Sequence, residues 1–142
     1  MKQLSVISKP AVRWLMTLSW TILIIIILLK PGNKVGSYEL SFNAFISSFF
    51  SFPLGDKWVV VEALVHVMLF GILTYLWHWS LITSYAKKNA VLLAISVAVL
   101  LGIGTEVGQY FVNRGSLLLD LLANILGVLI ASIGIGYMTK FK

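Results

Sequence analysis

Four long apolar runs constrain the fold of this chain more than any other feature. They extend over residues 14–29, 58–82, 90–110 and 117–138. A helix needs about 20 mainly apolar residues to cross the hydrocarbon core of a bilayer. The chain is 59% hydrophobic, which exceeds the roughly 45 to 50% that is usual for soluble domains. The sequence therefore predicts an all-α polytopic membrane protein in which residues 1–142 form a single domain, a bundle of four transmembrane helices.

The segment between the first two runs, residues 37–57, is too polar to cross the membrane. Its large apolar residues fall at helical spacing, and serine and asparagine occupy the other face. The apolar positions are Phe42, Phe45, Ile46, Phe49 and Phe50. This pattern predicts a short interfacial helix between spans one and two. Packing of the same phenylalanines against the bundle is the alternative.

The basic residues indicate how the chain is oriented. They are concentrated at both termini and in the connection after the second run, at Lys2, Lys9, Arg13, Lys87, Lys88, Lys140 and Lys142. Because Lys and Arg are enriched on the cytoplasmic side of membrane proteins, we expect a multi-pass protein of the cell membrane with both termini in the cytoplasm. The net charge is +6, but the basic residues are scattered singly or in pairs. We therefore expect no nucleic-acid partner.

The chain has no cysteine and only two histidines, His66 and His78. It therefore offers no disulfide, thiolate nucleophile or iron–sulfur ligand, and we expect no cofactor and no metal site. His78 lies between Trp77 and Trp79 near the end of the second run. Since aromatic residues are enriched at membrane interfaces, we expect His78 to be an interface anchor at the cytoplasmic end.

Polar residues that would be costly in hydrocarbon recur at one end of three of the predicted spans. They are Glu62 and His66 in the second run, Glu106 and Gln109 in the third, and Asp120 and Asn124 in the fourth. At 1.5 Å per helical residue, all six lie within about 12 Å of the outer ends of their helices. Spacings of three and four residues place each pair on one helix face. Arg114, in the short connection between spans three and four, is within reach of either Glu106 or Asp120, and we expect the group to form one network.

Small residues at four-residue spacing predict where helices approach closely. Ala123, Gly127 and Ala131 repeat in this way on the fourth run, and Gly104 and Gly108 do so on the third. Gly127 is therefore interpreted as a packing residue. The same faces also suit a homo-oligomer.

The pattern E-x-x-Q-x-x-x-x-R-x-x-x-x-x-D-x-x-x-N-x-x-G over residues 106–127 resembles the carboxyl-terminal signature of the VanZ-like family. Upstream, Asp56 and Lys57 are similar to the family's aspartate–lysine element, and HVMLFGIL at residues 66–73 is similar to the stretch after its histidine. Here eight residues separate Lys57 from His66, more than in many members. The resemblance implies a small bacterial membrane protein with about four helices, in a family whose founding member is associated with resistance to the glycopeptide teicoplanin. It implies no known reaction.

Three functions are compatible with this pattern. The first is a binding module whose outer-leaflet pocket holds the polar headgroup of a membrane lipid or lipid-linked cell-wall precursor. Its ligand-binding residues would be Glu62, His66, Glu106, Gln109, Arg114, Asp120 and Asn124. The second is a membrane enzyme that acts on such a lipid by acid/base chemistry, with Glu106, Asp120 and His66 as candidate catalytic groups. The third is a membrane scaffold or subunit. The sequence leaves open whether the protein is an enzyme.

Overall fold

Four long helices make up almost all of the described structure. The computed structural model describes residues 9–30, 58–112 and 118–140. Within these ranges the helices are α1 (Lys9–Leu28), α2 (Trp58–Leu81), α3 (Lys87–Phe111) and α4 (Leu118–Lys140), and there is no strand. Each helix is long and apolar enough to cross a membrane, which confirms the predicted all-α bundle with four spans. The interfacial helix predicted within residues 37–57 lies outside the described residues.

The helices extend beyond the apolar runs at their charged ends. α1 begins at Lys9 rather than at Trp14, and α3 begins at Lys87 rather than near Ala90. Long basic side chains can place their charge at the interface while their aliphatic stems cover apolar surface. A helix in a membrane can therefore continue past its apolar segment. The turn between α2 and α3 is short and is closed by a hydrogen bond of 2.9 Å from the Tyr85 amide to the Leu81 carbonyl.

α2 is the central helix, because it packs against each of the other three. The main core cluster contains residues from all four helices, which are Ile24, Leu28, Phe70, Leu73, Ala98 and Val128. The outward faces carry large exposed aliphatic side chains, among them Leu15, Met68 and Leu100. Since lipid tails are as apolar as leucine, close packing and interhelical hydrogen bonds hold such a bundle together.

α3 faces the bundle through a stripe of small residues at every fourth position. Ala90, Ala94, Ala98 and Gly102 are all buried, and the next position in the series is Glu106. This repeat lets the neighbouring helices approach α3 along much of its length. It also directs Glu106 into the bundle.

The sequence predicted that α3 approaches its neighbours at Gly104 and Gly108, which is a different face from the buried stripe. This prediction was wrong for Gly104. A Cβ added at Gly104 would meet no described atom within 4 Å, whereas one added at Gly108 would meet the Leu29 side chain. Gly104 follows Gly102 by two positions, which is a rotation of about 200° around the helix. Gly104 therefore points away from the neighbours that Gly102 contacts.

α2 and α4 approach closely at Gly127, as the sequence predicted. A Cβ at Gly127 would collide with the carbonyl oxygen of Val67 and would lie 3.0 Å from the backbone nitrogen of Gly71. Ala123, four residues earlier, is buried, and Ala131, four residues later, is half-buried. This backbone contact sets the separation of α2 and α4 next to the polar residues of both helices.

Hydrogen bonds attach α1 to α2 at the other end of the bundle. The Thr17 hydroxyl donates to the carbonyl oxygen of Leu76 at 3.0 Å and also lies 2.8 Å from the Ser80 hydroxyl. Because the single hydroxyl proton of Thr17 goes to Leu76, Ser80 is the donor in the second bond. The Trp20 indole donates to the carbonyl oxygen of Leu69 at 3.2 Å.

His78 faces the bundle interior, so its predicted role as an interface anchor was wrong. Its side chain is only 7% exposed, and it lines a cavity of about 390 Å³ together with Arg13, Tyr75 and Lys87. The guanidinium of Arg13 donates to the carbonyl oxygen of Trp79 at 3.2 Å and lies 4.9 Å from the centre of its ring. The tryptophan, rather than the histidine, is therefore what Arg13 contacts here.

Candidate functional site

The six polar residues predicted in spans two to four lie at one end of the bundle, where α2 and α4 begin and α3 ends. We call this group the polar cluster: Glu62, His66, Glu106, Gln109, Asp120 and Asn124. Glu62 is half-buried and the other five are buried. Hydrogen bonds join His66, Asn124 and Glu106, and Glu62 and Asp120 lie near His66. Gln109 follows Glu106 by about one helical turn on the buried face of α3. The predicted convergence is confirmed for these residues, while Arg114 lies outside the described residues.

A chain of two hydrogen bonds crosses three helices within the polar cluster. Nδ1 of His66 lies 2.9 Å from Oδ1 of Asn124, and Nδ2 of Asn124 donates to Oε1 of Glu106 at 3.2 Å. The donation to Glu106 fixes the amide, with its NH₂ group toward α3 and its oxygen toward α2. An amide oxygen can only accept, so Nδ1 of His66 must carry the proton of the bond to Asn124.

In a neutral ring, this assignment leaves Nε2 as the acceptor nitrogen. Nε2 is buried and has no hydrogen-bond partner among the described residues. The His66 side chain as a whole is only 1% exposed. A buried acceptor without a partner costs about 1 to 3 kcal/mol. The lone pair is therefore suited to accept a proton, a hydrogen bond or a coordinate bond.

Two carboxylates lie close to this imidazole. One ligand atom each from Glu62, His66 and Asp120 can be chosen so that all three lie within 4.8 Å of one another. Glu62 and His66 are four residues apart on α2, and Asp120 is in the first turn of α4. Imidazole nitrogen and carboxylate oxygen are common ligands of divalent metal ions. The sequence predicted no metal site, whereas this grouping has the composition of one.

Gln109 adds a buried amide to the same end of α3. Its side chain is 1% exposed, and neither its Oε1 nor its Nε2 has a hydrogen-bond partner within residues 9–30, 58–112 and 118–140. A primary amide offers two donors and one acceptor. Such a group can recognise a hydroxyl, a phosphate or another amide.

Gly102 is a positioning residue that the sequence did not single out. A Cβ at this position would lie 3.3 Å from Cε1 of Phe70 and 3.6 Å from Nδ2 of Asn124. The absence of a side chain at Gly102 leaves room for the Asn124 amide to reach Glu106. The signal that could have identified it is the four-residue repeat of small residues that ends at Gly102, one turn before Glu106.

No family model, no curated protein and no solved structure matches this chain. The resemblance of residues 106–127 to the VanZ-like signature therefore stays a prediction. The described fold defines the class more broadly, as a small all-α protein with four helices able to span a membrane.

Proposed function

We propose that this protein binds the polar headgroup of a membrane lipid or of a lipid-linked cell-wall precursor in the polar cluster. The observation that carries this proposal is the Gln109 amide, which is buried and has no hydrogen-bond partner among the described residues. Nε2 of His66 is likewise buried and has no hydrogen-bond partner among the described residues. Buried polar groups are normally paired, so a ligand that hydrogen-bonds to both groups would stabilise the site.

The chemistry of the polar cluster favours a headgroup rich in hydrogen-bond donors. Glu62, Glu106 and Asp120 offer carboxylate oxygens, which accept from hydroxyl and ammonium groups. The Gln109 amide can both donate and accept. Sugar hydroxyls, peptide amides and the ammonium of an aminophospholipid all fit this set. Charged and polar groups within membrane spans commonly mark the pathways and sites of ligands.

The predicted orientation places the polar cluster in the outer leaflet of the cell membrane. There it would meet lipid-linked precursors of the cell wall. Membership in the VanZ-like family would connect this binding with teicoplanin resistance, because a bound precursor is less accessible to a glycopeptide. This connection rests on the sequence resemblance alone.

Lipid that remains bound during purification tests the proposal. We expect native mass spectrometry of the protein, released from bacterial membranes in mild detergent, to detect a lipid of defined mass. Gln109→Leu, which keeps the size of the side chain and removes its amide, should abolish this species. Ser96→Ala is the control, because within the described part of the chain the exposed Ser96 hydroxyl bonds only to the Leu92 carbonyl of its own helix. A wild-type protein without lipid, or equal lipid in wild type and Gln109→Leu, would contradict the proposal.

A membrane enzyme is the second candidate, and the orientation of His66 favours it. Asn124 holds the imidazole through Nδ1, and Glu62 and Asp120 lie near the same ring. A positioned imidazole next to carboxylates is suited to general acid/base catalysis. Turnover of a membrane lipid by the purified protein, lost in His66→Gln, would establish catalysis. Saturable binding without product would establish the binding module instead.

A further inference from the structure

We infer that Glu62, His66 and Asp120 form a binding site for a divalent metal ion, of which Zn²⁺ fits the ligands best. The three side chains come from two helices, and their ligand atoms lie within 4.8 Å of one another. Four tetrahedral ligands at about 2.0 to 2.1 Å from zinc are separated by about 3.3 Å. The three atoms must therefore close by no more than about 1.5 Å, a shift within the reach of side-chain rotation.

The hydrogen bonding of the His66 ring is the observation that distinguishes this site from an ordinary acidic cluster. Zinc binds a neutral imidazole through a nitrogen lone pair, and the other ring nitrogen typically donates to a fixed oxygen. Here Nδ1 donates to Oδ1 of Asn124 at 2.9 Å. Nε2 is buried and without a described hydrogen-bond partner, and in the neutral ring it carries the lone pair that a metal ion would use. Asn124 is thus a positioning residue for the ligand.

The ligand set also indicates the kind of ion. One imidazole and two carboxylates match zinc, and ionised carboxylates balance the charge of a divalent cation. Three protein ligands leave one tetrahedral position open, as in catalytic zinc sites. That position would take water or an oxygen of a phosphate or carboxylate. The metal site itself follows from geometry, whereas its role in holding a lipid headgroup rests on the proposed function.

Zinc would join α2 to α4 at the end where α4 begins. Glu62 and His66 are one turn apart on α2, and Asp120 is in the first turn of α4. A ligand that binds only the folded state raises stability, and the gain grows with the free concentration of the ligand. The transition temperature of the bundle should therefore increase on addition of zinc.

Zinc binding to the purified full-length protein tests the site without any lipid. The protein is stripped with EDTA, dialysed against Zn²⁺, and its metal content is measured together with the calorimetric Kd. We expect about one zinc per chain in the wild type. His66→Gln and Asp120→Asn should lose this binding. Asn124→Leu should weaken it by about 10- to 100-fold, because the His66 ring loses the hydrogen bond that orients it.

His78→Gln is the matched control, because it removes the other buried histidine of the chain and should leave zinc binding unchanged. Binding of Co²⁺ to the wild type, followed by its visible absorption, gives a second readout that does not depend on any variant. Absence of stoichiometric zinc in the wild type would overturn the inference. Equal binding by wild type and His66→Gln, or loss of binding in His78→Gln alone, would also overturn it.

Lipid binding measured with and without EDTA separates this inference from the proposed function. Zinc binding by a protein that holds no lipid would support the metal site and contradict the proposed function. Lipid binding by a protein that binds no zinc would support the proposed function and contradict the metal site. Lipid that is released by EDTA and restored by Zn²⁺ would support both.

Discussion

Nδ1 of His66 donates to Oδ1 of Asn124 at 2.9 Å, and this bond joins residues that are 58 positions apart on α2 and α4. Asn124 in turn donates to Glu106 on α3. One amide therefore connects three helices inside a bundle whose other contacts are mostly apolar. Because Nδ1 is the donor in this bond, Nε2 is the nitrogen of His66 that remains to bind a ligand or a proton.

Asn124→Leu should destabilise the bundle by about 1 to 3 kcal/mol. The substitution removes both hydrogen bonds and leaves Nδ1 of His66 and Oε1 of Glu106 without this partner in a buried site. The free energy of unfolding in mixed micelles, titrated with a denaturing detergent, measures the effect. Asn89→Leu is the control, because Asn89 is exposed near the start of α3 and should leave stability unchanged. Equal stability of Asn124→Leu and wild type would show that the chain of bonds is not formed.

Gly127→Ala should destabilise the bundle by about 1 to 3 kcal/mol, the usual range for overpacking. The added methyl group would meet the backbone of Val67, which cannot move aside as a side chain can. Gly134→Ala is the matched control on the same helix, since a Cβ there would meet no described atom within 4 Å. The same detergent titration compares the two variants. Similar effects of the two substitutions would contradict the close approach of α2 and α4.

Thr17→Val should weaken the attachment of α1 by about 0.6 to 1.7 kcal/mol, the range measured for hydrogen bonds between membrane helices. The valine keeps the shape of the side chain but loses the bonds to Leu76 and Ser80. Thr74→Val is the control, because Thr74 is equally buried and, among the residues that the structure describes, its hydroxyl bonds only to the Phe70 carbonyl of its own helix. A cost for Thr74→Val as large as that for Thr17→Val would contradict this account.

The four spans could be predicted because a helix that crosses a bilayer needs a long run of apolar residues, and such runs are visible in the sequence. The convergence of His66, Glu106 and Asn124 could also be predicted, since their depth follows from the helical rise and the alternating direction of the spans. Rotation of a helix about its axis was harder to predict. In an all-apolar helix both faces are compatible with lipid, so nothing in the pattern distinguished Gly104 from Gly102.

The burial of His78 could not be predicted for a related reason. Its tryptophan neighbours are typical of an interface, but the sequence does not show which of three adjacent side chains points inward. The direction of each bond in the His66–Asn124–Glu106 chain also required coordinates. Spacing places these residues at one level, whereas the orientation of an amide depends on the atoms around it.

Single cysteines should report the orientation that the basic residues predict. The native chain has no cysteine, so each introduced thiol is unique. Ser84→Cys lies in the exposed turn between α2 and α3, and Phe111→Cys lies at the exposed end of α3. We expect a membrane-impermeant maleimide to label position 111 in intact spheroplasts and position 84 only after permeabilisation. The reverse result would place the polar cluster at the cytoplasmic side.

The tautomer of His66 tests the central claim most directly. In His78→Gln protein with ¹⁵N-labelled histidine, His66 gives the only imidazole signals. We expect a neutral ring with the proton on Nδ1 and a lone pair on Nε2, and a change of this pattern in Asn124→Leu. A proton on Nε2 in the otherwise native protein, or identical spectra with and without Asn124, would contradict the arrangement on which the candidate site depends.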